Sequence, residues 1–150
     1  MDKRLHRRLH LALGGLAVAI VAQSVTAQPS NTVNVPISGL RNSTGDVRCG
    51  LFNSADTFRQ PDKQFMGVAA PIANQQATCV FSNVPNGIYA VAVFHAEHGE
   101  TQIQYGLFGI PQEGYGFSRN PSTTWGPPGF SDADFTYSGG PVSVPVTIKY

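Results

Sequence analysis

The stretch GIYAVAVFHAEHGETQIQYGLFGIPQEGYGFS, residues 87–118, carries the strongest structural signal in this chain of 150 residues. Its first part, Ile88 to Phe94, alternates with period two, which is typical of a β-strand. The part that follows is rich in glycine and aromatic residues and poor in charge. The stretch therefore predicts a strand that leads directly into a long irregular loop.

Period two also dominates the other segments that show any periodicity. We expect strands at residues 33–37, 47–51, 65–72, 77–84, 88–94, 133–137 and 142–148. The turn sequence Pro85-Asn86-Gly87 predicts that the strands on either side of it form a hairpin. Because no segment after residue 27 keeps a 3.6-residue apolar repeat over three turns, we expect little helix.

About seven short strands separated by Gly, Pro and Asn predict an all-β fold. The pattern favours an antiparallel β-sandwich of immunoglobulin-like or transthyretin-like type, with a small closed barrel as the alternative. The loop between Tyr105 and Phe130 holds six glycines and four prolines together with six aromatic residues. We expect several of these aromatic side chains to pack the loop onto an open end of the sheets: Tyr115, Phe117, Trp125 and Phe130.

The N-terminal segment has the pattern of a secretory signal peptide. Four basic residues lie within residues 1–10, and the uncharged run Leu11 to Ala22 is too short to cross a bilayer as a helix. Small residues at Val25-Thr26-Ala27 predict cleavage after Ala27, with an uncleaved anchor as the alternative. We expect residues 28–150 to form a single periplasmic or secreted domain that is not an integral membrane protein.

The charge and the cysteine content further restrict the class of protein to which the chain can belong. Removing residues 1–27 leaves six basic and eight acidic side chains, and the basic ones are scattered singly, so we expect no nucleic-acid binding. The two cysteines, Cys49 and Cys79, lie in a chain bound for an oxidising compartment, which predicts a disulfide bond. Two buried free thiols are the alternative.

Four segments of the chain resemble the bacterial secreted family called domain of unknown function 2141. They are GDVRCGLFNSADTF (45–58), CVFSNVPNGIYAVAVFHAEHG (79–99), GIPQEGYGFS (109–118) and GPPGFSDADF (126–135). The resemblance implies an exported, mostly β domain with no established biochemical activity. Members of the family usually follow the Phe-His pair with a calcium-loop-like Asp-x-Asn-x-Asn stretch, whereas only Glu100 keeps a carboxylate here. We therefore expect no calcium site.

The densest cluster of potential metal ligands is His95, Glu97, His98 and Glu100. In an extended strand His95 and Glu97 point to one face and His98 to the other, so the four do not converge without a tight turn. We expect a solvated hairpin end and no cofactor. The alternative is a weak divalent-metal site in which imidazoles have replaced oxygen ligands.

A candidate binding surface comprises Tyr115, Trp125 and Glu113, because aromatic side chains on a β-sandwich also serve as ligand platforms. We expect the Glu113 carboxylate to hold its Gly-rich loop through backbone N–H groups, with a general base as the alternative. No Ser-His-Asp set or paired carboxylates can be assigned, so no catalytic residue is predicted.

These features predict an exported, non-catalytic and monomeric module that binds an unidentified envelope component or a small ligand. The first alternative is a small metal-binding protein or metal-dependent enzyme centred on residues 95–98 with Glu113. The second is a structural subunit that uses the strand Val142 to Ile148 for strand addition to a partner.

Overall fold

The computed structural model describes residues 30–150, so the predicted signal peptide of residues 1–27 lies outside the described residues. The described part of the chain contains one 3-10 helix, Leu107–Gly109, together with nine strands and one short α-helix. The strands and the α-helix are β1 Thr32–Ser38, β2 Asp46–Phe52, β3 Met66–Pro71, β4 Ala77–Ser82, β5 Gly87–Ala96, β6 Tyr115–Phe117, α1 Phe130–Ala133, β7 Phe135–Tyr137, β8 Val142–Ser143 and β9 Val146–Thr147. Within this part, no helix has the length and apolar character needed to cross a membrane.

The strands form two sheets, which confirms the all-β sandwich. Sheet one has the order β4-β1-β8, and β9 also pairs with β1. Sheet two has the order β3-β2-β5-β6, and β7 pairs with the other end of β5. All pairs are antiparallel except those of β1 with β8 and β9, which are parallel.

The main core fills the space between the sheets, because alternate residues of each strand point inward. Val35 of β1, Leu51 of β2 and Val91 of β5 are fully buried there. The disulfide Cys49–Cys79 joins β2 of sheet two to β4 of sheet one across this core, which confirms the predicted pairing.

A second, smaller core lies on the opposite face of sheet two. The ring of Phe58 packs against Phe52, Phe117 and Phe130 with centroid distances of 5.5, 6.0 and 5.8 Å. These contacts attach the loop after β2 and the segment around α1 to the outside of the sheet. Three of the four aromatic residues expected to pack the long loop onto the sheets do so here, namely Tyr115, Phe117 and Phe130.

Two expectations about the strands are wrong. Strands β4 and β5 form no hairpin, because β4 pairs with β1 in sheet one and β5 pairs with β2 in sheet two. The segment 142–148 is not one strand, because Pro145 has no N–H for the ladder and separates β8 from β9. Its end is also not a free edge, since Lys149 and Tyr115 exchange two backbone hydrogen bonds of 2.9 Å that link the two sheets.

Candidate functional site

The outward face of sheet two carries a groove with a volume of about 750 Å³, here called the outer groove. Its walls are the loops of residues 59–64, 101–111 and 123–127. Its floor consists of outward-facing residues of four strands: Arg48, Gly50, Phe52, Gly67, Ala69, Ala92, Phe94, Tyr115 and Phe117. The groove therefore lies on the side of sheet two that faces away from the main core.

The strand register arranges the floor in two rows. The first row contains Gly67, Gly50 and Ala92, which lie opposite one another on β3, β2 and β5. These residues leave the floor low because they have little or no side chain. Gly50 is also required by close packing, since a Cβ at this position would lie 2.9 Å from the Phe52 ring.

The second row contains Ala69, Arg48, Phe94 and Tyr115 in register across the same four strands. The outward face of a sandwich sheet ordinarily carries polar side chains. Here Arg48 is the one charged residue of the two rows. The outer groove thus has an apolar floor with a single cation in it.

Hydrogen bonds hold the walls in place. The Nε2 of Gln102 donates to Oδ2 of Asp62 over 2.8 Å and thereby ties two walls together. At the base of the 101–111 loop, the backbone N–H of Gln104 donates to Oε2 of Glu113 over 2.7 Å, and the N–H of Gln112 donates to the carbonyl of Gln104 over 3.0 Å. The loop is therefore an ordered wall.

Large apolar side chains are exposed around the outer groove. Phe108 is 97% exposed at the tip of the 101–111 loop, where its backbone has a φ of 61°. Tyr105 and Ile110 are 55% and 63% exposed, and all three side chains line the groove. Exposed apolar residues gathered at one place mark an interaction site more often than scattered ones do.

The three residues of the candidate binding surface occupy different places. Tyr115 lies on the floor of the outer groove. Glu113 is buried and lies outside the groove lining. Its carboxylate accepts the backbone N–H of Gln104, and a structural role in this loop requires such a contact. Trp125 is 98% exposed instead of packed on the sheet, although its neighbours Gly126 and Pro127 line the groove wall.

The imidazole of His95 is fully buried at the end of β5 and has both nitrogens engaged. Its Nε2 lies 2.7 Å from the carbonyl oxygen of Thr44, which only accepts, so Nε2 carries a proton. Its Nδ1 lies 2.6 Å from the hydroxyl of Tyr150, which also accepts a hydrogen bond from the backbone N–H of Arg41. The histidine thus joins the β1–β2 connection to the C-terminal segment.

Glu97 belongs to the same network through an ion pair. Its two carboxylate oxygens accept hydrogen bonds from Nε and Nη2 of Arg41 over 2.6 and 2.7 Å, and Asn42 donates a third over 3.2 Å. These bonds, chiefly those from Arg41, lower the pKa of Glu97 to about 2. The carboxylate is thereby committed to a structural contact.

The other two candidate metal ligands lie in the turn after β5. The carboxylate of Glu100 accepts a hydrogen bond from the backbone N–H of His98 over 2.9 Å, which lowers the pKa of Glu100. His95 and Glu97 do lie together, with Nδ1 of His95 3.4 Å from Oε1 of Glu97, and their main hydrogen bonds go to Tyr150 and Arg41. Among residues 30–150, no three His, Cys, Asp or Glu side chains are grouped so that they could hold a metal ion.

Arg48, Gly50 and Gly67 were not expected to form part of a site. A signal was nevertheless present in the chain, because glycine inside a strand often marks the close approach of a ligand or another group. Gly50 and Gly67 lie within two strand segments, and Arg48 lies two residues from the first of them. Their proximity depends on the pairing of β2 with β3, which local periodicity does not reveal.

The fold and the outer groove define a disulfide-linked β-sandwich domain with an open apolar groove on one outer face. A family model described as uncharacterized protein conserved in bacteria, DUF2141, matches residues 35–145, so the chain belongs to this family. The resemblance seen in the sequence is thereby confirmed. No curated protein and no solved structure shows detectable similarity to the chain.

Proposed function

We propose that this protein is an exported, non-catalytic module that binds a small apolar ligand in the outer groove. The observation that carries the proposal is the apolar floor of a groove of about 750 Å³. Sites for small molecules typically enclose about 300–1,000 Å³ and combine mostly apolar walls with a few polar groups. The outer groove has this composition, with Phe94 and Tyr115 on its floor and Arg48 and Gln64 as polar groups.

The exposed apolar side chains around the outer groove favour an apolar ligand. Tyr105, Phe108 and Ile110 line the groove yet remain more than half exposed without a ligand. A ligand that covers them removes apolar surface from water, which stabilises the complex by roughly 25 cal/mol per Å². A strongly polar ligand would gain less from the same contact.

Export and a monomeric state belong to the same proposal. The Cys49–Cys79 disulfide supports an oxidising compartment, since such bonds persist in the periplasm and outside the cell and are rare in the cytosol. Size-exclusion chromatography with light scattering tests the oligomeric state. We expect a single species with the mass of one chain.

Titration of the purified protein with Nile red, an uncharged apolar dye, tests the groove. We expect saturable binding with a blue shift of the dye emission. Ala69→Phe places a large ring on the exposed floor of the groove and should weaken binding at least roughly tenfold. Val80→Phe makes the same kind of change on the outward face of sheet one, where Val80 is 43% exposed, and should leave binding unchanged. Equal effects of the two variants, or no saturable binding, would contradict the proposal.

A further inference from the structure

We propose that the ligand of the outer groove carries a carboxylate head group on an apolar body, and that Arg48 binds this head group. The inference rests on the proposed function, because it names the chemical class of the ligand in the same groove. It is carried by the position of one guanidinium group on an otherwise apolar floor.

Arg48 is held in an orientation that leaves part of its guanidinium available. It lies on β2 between Ala69 and Phe94 in the second row of the floor. Its Nε donates to Oδ1 of Asp46 over 2.9 Å, which fixes the plane of the group. Within residues 30–150 this is the side chain's only hydrogen bond, so its two Nη groups have no protein partner there.

The free hydrogen-bond donors on the floor of the outer groove favour an anion. Asp46, which holds Arg48, is not part of the groove lining. The lining contains two cations, Arg48 and Arg59, and one carboxylate, Asp62, whose Oδ2 already accepts the hydrogen bond from Gln102. With Asp46 included, the two cations are balanced by two carboxylates, so the feature that favours an anionic head group is the pair of free Nη donors on Arg48.

Desolvation explains why the head group is a carboxylate. The Arg48 side chain is 34% exposed, so an apolar ligand lying across the floor takes its guanidinium out of water. Removing a charge from water is unfavourable unless the charge is paired. The charge of Arg48 is already paired with Asp46 through Nε, but a carboxylate also accepts two parallel N–H bonds from the free Nη edge, whereas a neutral apolar ligand buries these donors without an acceptor.

Displacement of Nile red by four ligands with the same twelve-carbon chain tests the inference. Dodecanoate, 1-dodecanol, dodecyl phosphate and dodecyltrimethylammonium are compared below the concentrations at which they aggregate. We expect dodecanoate to bind roughly tenfold more tightly than dodecanol, because a charge-assisted pair is added. Equal binding of dodecanoate and dodecanol, or tighter binding of dodecyl phosphate, would overturn the carboxylate assignment while leaving the groove in place.

Two variants test whether Arg48 causes the preference for dodecanoate over dodecanol. Arg48→Gln should abolish the difference between dodecanoate and dodecanol, with both ligands measured on the variant itself. Arg119→Gln removes another arginine, which pairs with Asp134 over 3.3 Å outside the groove lining, and should keep the difference. A preference that survives in Arg48→Gln overturns the assignment, and if this variant does not fold, the wild-type ranking still decides the head group. Failure of every ligand and of Nile red would instead overturn the proposed function.

Discussion

The hydroxyl of Tyr150 lies 2.6 Å from Nδ1 of His95, whose ring is completely buried. A Cβ at Gly114 would collide with the Tyr150 ring, so the loop before β6 packs directly on this contact. One tyrosine thus holds together the end of β5, the backbone near Arg41 and the start of β6.

Tyr150→Phe should lower the free energy of unfolding by about 1–3 kcal/mol, because it leaves a buried ring nitrogen of His95 without its partner. Urea denaturation followed by circular dichroism measures the change. Tyr105→Phe is the matched control, since Tyr105 is 55% exposed and its hydroxyl makes no hydrogen bond within residues 30–150. Equal stability of the two variants would contradict the role of the contact.

The Arg41–Glu97 ion pair predicts a pH dependence. The pKa of Glu97 falls from its ordinary 4.5 to about 2 in the folded protein, chiefly through the hydrogen bonds from Arg41. The stabilisation is therefore complete above about pH 4.5 and is lost as the pH falls through 2. Glu97→Gln should cost about 1 kcal/mol at pH 6, since Arg41 is half-exposed, and the difference should vanish near pH 2.

Denaturation of both proteins between pH 2 and pH 7 measures this difference. Asp56→Asn serves as the control, because Asp56 is exposed and makes no ion pair in the described part of the chain. A constant gap between wild type and Glu97→Gln over the whole range would show that the charge of Glu97 is irrelevant.

The disulfide predicts a redox-dependent stability. It closes a loop with a sequence separation of 30, which stabilises the fold by about 3–4 kcal/mol in the chain-entropy model. The double variant Cys49→Ala, Cys79→Ala should lose about this amount in urea denaturation. Dithiothreitol should destabilise the wild type and leave the double variant unchanged, and a response of both proteins would rule out the bond as the cause.

The second core lies next to the outer groove, so a change in its packing should affect both stability and dye binding in the groove. Phe58→Ala should cost about 3 kcal/mol, because the ring fills the space between Phe52, Phe117 and Phe130. It should also weaken Nile red binding, since the wall of residues 59–64 begins next to it. Phe65→Ala is the same substitution at a ring that is 44% exposed, and it should lower the free energy of unfolding clearly less than Phe58→Ala does. Unchanged dye binding in folded Phe58→Ala would separate the second core from the groove.

The predicted signal peptide is tested by the N-terminus of the exported protein. Expression of the full chain in a bacterial host, followed by mass spectrometry of the periplasmic and secreted fractions, should give a chain that starts at Gln28. Ala27→Arg places a charge where the peptidase requires a small residue and should leave the precursor uncleaved. An uncleaved wild-type chain would contradict the prediction.

Those parts of the fold that depend on local pattern could be predicted from the sequence. Alternation in β1, β2 and β4 identifies the inward residues, because a strand with one buried face repeats every two positions. That alternation places Cys49 and Cys79 on inward faces, where the structure joins them. The partner of each strand could not be predicted in the same way, and the apparent hairpin of β4 and β5 is therefore wrong.

The outer groove could not be predicted from the sequence for a related reason. Strand β5 presents Tyr89, Val91 and Val93 to the main core but Ala92 and Phe94 to the opposite face. When both faces of a strand are apolar, periodicity does not reveal that the outer one is a floor. The full exposure of Trp125 was missed because aromatic content alone does not distinguish a packed ring from an exposed one.

The two faces of sheet two separate the residues of the main core from those of the outer groove. Residues that hold the sandwich together point inward, whereas the outer groove is bounded by three loops that contribute little to the main core. Mutations in those loops can therefore change the shape and polarity of the outer groove during evolution at little cost to the foldability of the scaffold.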